Sequence, residues 1–152
     1  MTVYFAYGSN MERTAMRKRC GGARPLGPAL LRGWRYVIAA GYGTIVPAPG
    51  MCVFGVLWKL TPRDLSTLNS YENLDSGLYR RITLTIEAGG ERVRALVFMG
   101  RKRGSTRPRP GYQERVADAA QDWRLPQYYI AELRRLAPGY RGARPAETGE
   151  IG

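Results

Sequence analysis

The clearest structural signal in the sequence is the segment Val3-Tyr4-Phe5-Ala6-Tyr7-Gly8-Ser9-Asn10. Its first half is a short apolar and aromatic run, which predicts a buried strand over Val3–Ala6. Gly8-Ser9-Asn10 has the composition of a turn. Residues 11–19 then predict a short helix, with Asn10 as its N-cap and basic residues at its C-terminal end.

The turn at Gly8-Ser9-Asn10 is a candidate binding site for an anion. A glycine that leaves a strand allows backbone N–H groups to approach a ligand closely. The start of a helix adds unpaired N–H donors and the positive end of a dipole, so a carboxylate or phosphate would suit the site. The alternative is a plain turn with an asparagine cap, and a single Gly-Ser-Asn favours that alternative on physical grounds alone.

Strands and helices follow in an irregular order. The predicted strands are Trp34–Ala40 and Thr44–Val46, broken by Gly41 and Gly43, then Val53–Leu60, and a hairpin of Arg81–Glu87 with Val93–Met99 around Gly89-Gly90. One helix is predicted to start at Pro62, with Thr61 as its N-cap. A second is predicted from Tyr112 to Trp123. A third is predicted from Pro126 to Leu136, with Tyr129, Leu133 and Leu136 facing inward. Residues 101–111 are basic and contain two prolines, so we expect a loop there.

This order predicts the fold class α+β. It lacks a regular βαβ alternation, so we expect a curved or closed mixed sheet with helices packed at its edges. A length of 152 residues fits one domain. We expect that domain to cover residues 1–140, and residues 141–152, which are rich in glycine, proline and charge, to form a flexible tail.

The composition excludes several kinds of active site. The chain contains no histidine, which excludes Ser-His-Asp and Cys-His mechanisms and zinc sites that use histidine. A general acid or base must therefore be a carboxylate, tyrosine, lysine or cysteine. The two cysteines, Cys20 and Cys52, do not indicate a disulfide framework.

Charge and hydropathy limit the kinds of binding partner and the cellular location that we expect for this protein. The formal net charge is +12, which is typical of proteins that bind nucleic acids or attract anionic substrates. The arginines are scattered along the sequence and no nucleic-acid-binding signature accompanies them. We therefore interpret the positive charge as a result of the overall amino-acid usage, and we do not expect nucleic-acid binding. No apolar run is long enough to span a membrane, and the first residues lack a secretory signal, so we expect a cytoplasmic protein.

Glu72 is the candidate general acid/base. Leu65 and Leu68 lie on one helical face, and continuing that face leads to Glu72. A carboxylate on a buried face is costly unless it is paired or transfers protons, and burial would raise its pKa toward a useful range. Periodicity alone favours the alternative, in which the helix ends at Asn69 or Ser70 and Glu72 lies in a solvated loop.

Five tyrosines border the turn and the helix ends: Tyr4, Tyr7, Tyr71, Tyr79 and Tyr112. A tyrosine can line a pocket and offer a hydroxyl, although each one alone is more often a packing residue.

These segments resemble the gamma-glutamylcyclotransferase-like family. The run Tyr4-Phe5-Ala6-Tyr7-Gly8-Ser9-Asn10-Met11 is similar to the family's N-terminal signature, with Met11 in place of the usual leucine. Leu68-Asn69-Ser70-Tyr71-Glu72-Asn73, followed by Ser76-Gly77-Leu78-Tyr79, resembles the segment that holds the family's catalytic glutamate. Weaker similarities to its central strands and C-terminal part lie at residues 43–46, 53–58, 125–129 and 139–142.

The resemblance implies a compact mixed β-barrel flanked by helices, and an enzyme that cleaves a small-molecule γ-glutamyl amide to 5-oxoproline and a free amine. It implies Glu72 as the acid/base. It implies a substrate site formed by Tyr4, Phe5, Ala6, Tyr7, Gly8, Ser9 and Asn10, with Tyr79 and Tyr112 as pocket residues. Because the substrate's own α-amine attacks its γ-carbonyl, the reaction needs no protein nucleophile, no metal and no cofactor.

Three alternatives stay open. The first is the same chemistry with another leaving amine, from a protein or a biosynthetic intermediate, since the unusually basic run 101–110 is expected near the pocket mouth. The second is a basic module that binds nucleic acids. The third is a family member that has lost its activity, against which the intact Glu72 and Tyr7-Gly8-Ser9-Asn10 argue.

Overall fold

The computed structural model describes residues 1–73, 79–100 and 106–139, apart from the side chains of Glu72 and Asn73. Its elements are β1 (Thr2–Ala6), a 3₁₀ turn (Ser9–Met11), α1 (Arg13–Arg19), β2 (Arg24–Ala39), β3 (Tyr42–Leu60), α2 (Pro62–Asn73), β4 (Tyr79–Ala88), β5 (Glu91–Gly100), α3 (Tyr112–Asp122) and α4 (Gln127–Arg135). No helix among these residues is long and apolar enough to cross a membrane.

The five strands form a closed mixed barrel in the order β1-β3-β2-β4-β5. β1 is antiparallel to β3 and parallel to β5, where Tyr4 pairs with Leu96, so the N-terminal strand closes the sheet. Closure satisfies the strand edges that an open sheet would leave unpaired. The predicted α+β barrel with flanking helices is confirmed.

The N-terminal strand lies in the centre of the core. Tyr4, Phe5 and Ala6 are all buried. Gly55 on the neighbouring β3 has no room for a side chain, since a Cβ there would contact the carbonyl oxygen of Ala6 and would lie 2.9 Å from the ring of Phe5. This close packing fixes where β1 ends, and therefore where the following turn lies.

The long β2–β3 hairpin differs from the prediction. Its strands are continuous over Arg24–Ala39 and Tyr42–Leu60, and the tight turn between them uses positive φ at Ala40 and Gly41. The prediction that Gly43 breaks a strand is wrong, because Gly43 lies inside β3. A Cβ at Gly43 would overlap the ring of Tyr36, so this glycine makes room for an aromatic side chain.

Two helix predictions also need correction. α1 starts at Arg13 with Glu12 at its N-cap position, so Asn10 is not the cap. Instead the Asn10 side chain makes contacts within the core, described below. Leu136 follows the end of α4 and is 40% exposed, so it does not face inward with Tyr129 and Leu133.

Asp64 joins the start of α2 to the turn before β2. Its carboxylate accepts the Thr61 N–H at 3.1 Å, while the Asp64 N–H donates to the Thr61 hydroxyl at 3.0 Å, which is a reciprocal capping arrangement. The carboxylate also accepts the Gly22 N–H at 3.2 Å. Burial alone would raise the pKa of Asp64, but the hydrogen bonds from Thr61 and Gly22, with nearby Arg63, together hold it below its ordinary value.

Several expectations concern parts of the chain outside this description. Residues 101–105 of the basic run and the expected tail at 141–152 lie outside the described residues, so the domain boundary at residue 140 stays a prediction. Cys20 and Cys52 are free, as expected.

We predict that Asp64→Ala lowers the free energy of unfolding by about 1–3 kcal/mol, because the Thr61 and Gly22 N–H groups lose their charged acceptor and the start of α2 loses its cap. Since folding lowers the pKa of Asp64, its contribution is complete above the unfolded-state value of about 3.9 and is lost as the pH falls through the folded value. Urea unfolding of both proteins at neutral pH and below pH 4 measures this.

The control is Asp118→Ala, which removes an exposed ion pair with Arg134 and should cost at most about 0.5 kcal/mol. The role of Asp64 would be contradicted if the two substitutions lowered the free energy of unfolding equally. It would also be contradicted if the difference in unfolding free energy between the wild type and Asp64→Ala increased at acidic pH.

Candidate active site

A cavity of about 470 Å³ opens beside the turn that follows β1. The aromatic residues that line it include Tyr4, Tyr7, Tyr42, Tyr79, Phe98 and Tyr112. Gly8, Ser9 and Asn10 form one border, and Tyr71, in the last turn of α2, forms another. The cavity therefore joins the N-terminal turn to the helix that carries Glu72.

Seven of the substrate-site residues predicted from the sequence line this cavity: Tyr4, Tyr7, Gly8, Ser9, Asn10, Tyr79 and Tyr112. Phe5 and Ala6 do not line it, because both are fully buried in the core. Glu72 lies within α2, which extends to Asn73 and so does not end at Asn69 or Ser70. The side chain of Glu72 is outside the described part of the structure.

The backbone of the turn borders the cavity. Two hydrogen bonds of the turn use its carbonyl groups: the Met11 N–H donates to the Gly8 oxygen at 3.0 Å, and the Glu12 N–H donates to the Ser9 oxygen at 3.1 Å. The backbone N–H groups of Gly8, Ser9 and Asn10 donate to no other residue that the structure describes. Consecutive N–H groups of this kind form an anion-binding concavity.

The side chain of Asn10 has a fixed orientation. Arg19 donates to its Oδ1, and its Nδ2 donates to the Tyr4 hydroxyl at 3.0 Å. A guanidinium has no acceptor, so the amide oxygen must face Arg19 and the amide nitrogen must face Tyr4. The guanidinium of Arg19 also lies 4.3 Å from the ring centroid of Tyr71. One arginine therefore contacts both the turn and the end of α2.

Tyr112 lies between the turn and the hairpin. Its hydroxyl accepts the Gly43 N–H at 3.1 Å, and its ring packs edge-on against Tyr42 at 5.3 Å. A Cβ added to Gly8 would lie 2.9 Å from the same hydroxyl. Gly8 therefore allows the turn to approach Tyr112 closely.

A chain of buried hydrogen bonds passes through Gln113, the residue that follows Tyr112. Tyr36 donates to the Oε1 of Gln113 at 2.8 Å, and Gln113 donates to the Leu133 carbonyl at 3.0 Å. Burial raises the pKa of Tyr36 well above its ordinary value, with a further contribution from its neighbour Tyr112. The hydroxyl of Tyr36 therefore stays protonated and can donate. This chain ties α3 and α4 to the hairpin.

Tyr7 is held by a hydrogen bond to β5. Its hydroxyl donates to the Phe98 carbonyl on β5 at 2.5 Å, and its ring packs edge-on against Tyr36. Tyr4 packs edge-on against the ring of Phe98. The cavity therefore has an aromatic floor that is part of the barrel core.

Sequence reasoning missed several lining residues, among them Arg19, Tyr42 and Arg115, whereas Arg109 belongs to the basic run 101–110 that is expected near the pocket mouth. Arg19 ends a basic helical turn, and Arg115 follows Tyr112 by three positions, so a helical spacing from the predicted pocket tyrosine could have indicated Arg115. No group of three or more His, Cys, Asp or Glu side chains suited to a metal ion occurs within the residues the structure describes.

Comparison with known proteins identifies the family. Residues 4–125 match the family model described as gamma-glutamyl cyclotransferase, AIG2-like. The chain belongs to this family. It is 28% identical to a gamma-glutamylcyclotransferase from Bos taurus and 26% identical to one from Mus musculus, in each case over 98% of this chain and 86% of the relative.

Solved structures agree with this family. A gamma-glutamyl cyclotransferase superposes with a TM-score of 0.84 at 25% identity, covering 93% of this chain and 91% of that one. An uncharacterized human protein superposes with a TM-score of 0.80 at 26% identity, covering 87% and 85%. The predicted family and the predicted kind of enzyme are confirmed, while the roles of individual residues stay predictions.

We predict that Gly8→Ala destabilises the protein by about 1–3 kcal/mol, because the new methyl group forces the Tyr112 hydroxyl away from Gly43. The same substitution should cost less in a Tyr112→Phe background, which lacks the oxygen that the methyl group meets. Urea unfolding of the four proteins gives this coupling energy.

Gly21→Ala is the matched control, since a Cβ there meets nothing within 4 Å, and it should leave stability nearly unchanged. If Gly8→Ala costs the same with and without the Tyr112 hydroxyl, close packing against Tyr112 is not the reason for the glycine.

Proposed function

We propose that this protein converts a γ-glutamyl amide to 5-oxoproline and a free amine. The observation that carries the proposal is the cavity itself, in which three backbone N–H donors of the turn and a ring of tyrosines lie beside the end of the helix that contains Glu72. Membership of the gamma-glutamyl cyclotransferase, AIG2-like family supports the proposal.

The proposed reaction is an intramolecular acyl transfer. The α-amine nitrogen of the glutamyl group forms a bond to its γ-carbonyl carbon, and the bond from that carbon to the leaving nitrogen breaks. The proton lost by the attacking amine is matched by the proton gained by the leaving amine, so no water or oxidant is consumed. Holding the substrate folded is the main task, since well-oriented cyclisations gain about 7–11 kcal/mol.

In this proposal the turn holds the α-carboxylate of the glutamyl group. The N–H groups of Gly8, Ser9 and Asn10 supply donors without rearrangement, because they have no other partner among the described residues. Arg19 adds a positive charge at the same border. Charge-assisted hydrogen bonds of this kind are roughly twice as strong as neutral ones.

The proton transfers are assigned to Glu72. The chain contains no histidine, and Glu72 follows Tyr71, whose ring lines the cavity. One carboxylate can first accept the proton of the attacking amine and then donate it to the leaving amine. The developing oxyanion needs a donor, and both backbone N–H groups and tyrosine hydroxyls border the cavity.

We predict that Glu72→Gln abolishes turnover and leaves the fold and much of the substrate binding intact. Glutamine is nearly isosteric but cannot transfer the proton, and general acid/base catalysis is worth roughly 10²–10⁴-fold, so the loss should reach or exceed the upper end. The measurement is 5-oxoproline release, with circular dichroism as the folding control.

Glu91→Gln, an exposed carboxylate at the start of β5, is the matched control and should retain full activity. A folded Glu72→Gln protein that keeps more than about a tenth of the wild-type rate would remove Glu72 from the mechanism.

A second prediction concerns the α-carboxylate. A 4-aminobutyryl amide retains the attacking amine and the scissile bond but lacks this carboxylate, so it should lose at least about 100-fold in kcat/KM relative to the γ-glutamyl amide of the same amine. Lactam release is measured by chromatography. Equal kcat/KM values for the two amides would show that the turn does not hold an anion.

A further inference from the structure

Part of the cavity lining is formed by the segment that leads into α3. The Arg109 N–H donates to the Gly41 carbonyl at 3.0 Å, and the Tyr112 N–H donates to the Arg109 carbonyl at 3.0 Å. These bonds tie the segment to the hairpin turn and place Arg109 beside Tyr42, with its guanidinium 5.6 Å from the ring centroid. Arg115 lies one helical turn after Tyr112, and both arginines line the cavity.

These two arginines have no anionic partner within the described structure. The three ion pairs found there engage Arg13, Arg32 and Arg134. No carboxylate side chain of the described residues lines the cavity. Arg19 is different, because it is hydrogen-bonded to Asn10 and stacks on Tyr71. The cavity therefore has one arginine committed to the turn and two whose charge is uncompensated.

The charges of the substrate indicate what the two arginines would recognise. In the proposed function, the single carboxylate of the glutamyl group is held by the turn and Arg19. A neutral or cationic leaving amine would leave Arg109 and Arg115 facing no anion, and a cationic one would be repelled. Guanidinium groups suit carboxylates because they donate in a planar fork.

We infer that the leaving amine is acidic, with an amino acid bearing a second carboxylate as the best fit, and that Arg109 and Arg115 determine this specificity. The inference rests on the proposed function and specifies the chemical class of the amine that the substrate releases. Each arginine is exposed at the cavity mouth, so each contact is modest and their sum sets the preference.

The test compares three substrates that share the glutamyl group: γ-glutamyl-glutamate, γ-glutamyl-alanine and γ-glutamyl-ethylamide. Their amine halves carry two, one and no carboxylates. The wild-type protein should show kcat/KM values that fall in this order, by about 5-fold for each carboxylate removed. The preference should shrink as the ionic strength rises, because exposed charges are screened.

Variants then assign the preference to the two arginines. Arg109→Gln and Arg115→Gln should each lower the glutamate-to-ethylamide ratio by about 5-fold, and the double variant by about 25-fold if the sites are independent. The matched control is Arg135→Gln, which removes one positive charge from an exposed position on α4 outside the cavity lining and should leave the ratio unchanged.

Charge reversal supplies a result that structural damage cannot produce. The double variant Arg109→Glu/Arg115→Glu should prefer the mono-γ-glutamyl amide of ethylenediamine, whose leaving half is cationic, over γ-glutamyl-glutamate. A wild-type protein that turns over all three original substrates with equal kcat/KM would overturn the inference and leave the proposed function standing.

Calorimetric binding of γ-glutamyl-glutamate and γ-glutamyl-ethylamide separates the two proposals when no 5-oxoproline forms. Tighter binding of the acidic compound that is lost in Arg109→Gln/Arg115→Gln would support the specificity and overturn the cyclisation. If the protein shows no turnover and no arginine-dependent difference in affinity, both proposals are overturned.

Discussion

The position of the Tyr112 hydroxyl is the constraint on which the site depends. This one oxygen accepts the Gly43 N–H of the hairpin and lies against the turn at Gly8. α3, β3 and the end of β1 are far apart in the chain, and they meet at this atom. The buried chain from Tyr36 through Gln113 to the α4 backbone holds α3 in place, so the cavity is shaped by interior packing. Fully satisfied buried networks of this kind rigidify a core.

Much of the barrel could be predicted because its signals are local. The Thr61-Pro62 start of α2, the Gly89-Gly90 hairpin and the alternation of β4 each depend on a few neighbouring residues, and the structure confirms them. Gly43 was misread because its role depends on a distant partner, the ring of Tyr36. A glycine that makes room for a side chain looks the same in the sequence as one that ends a strand.

The residues of the candidate site also differ in how far the sequence could predict them. The turn residues and Tyr112 could be predicted from the resemblance, and the basic run 101–110 places Arg109 near the expected pocket mouth. The helical spacing from Tyr112 is the local signal for Arg115, but Arg19 could not be distinguished from the many other arginines of a chain with charge +12. Composition gives the amount of charge but not where it collects. Only the fold shows that Arg109 and Arg115 both line the cavity. Charge that is concentrated in this way attracts ligands of the opposite sign.

Arg19 connects the two halves of the proposed chemistry. Its guanidinium contacts Asn10 in the turn and Tyr71 beside Glu72, so one side chain orients the proposed carboxylate cradle and packs on the helix end that carries the proposed acid/base. A cyclisation needs the α-amine and the γ-carbonyl at a fixed separation, with the proton carrier within reach of both nitrogens. In this proposal, an arginine that contacts both the turn and the helix end would help to hold that geometry through contacts that bear no catalytic proton. This explains how a chain without histidine could divide the work, with positioning assigned to backbone and arginine and proton transfer assigned to a single carboxylate.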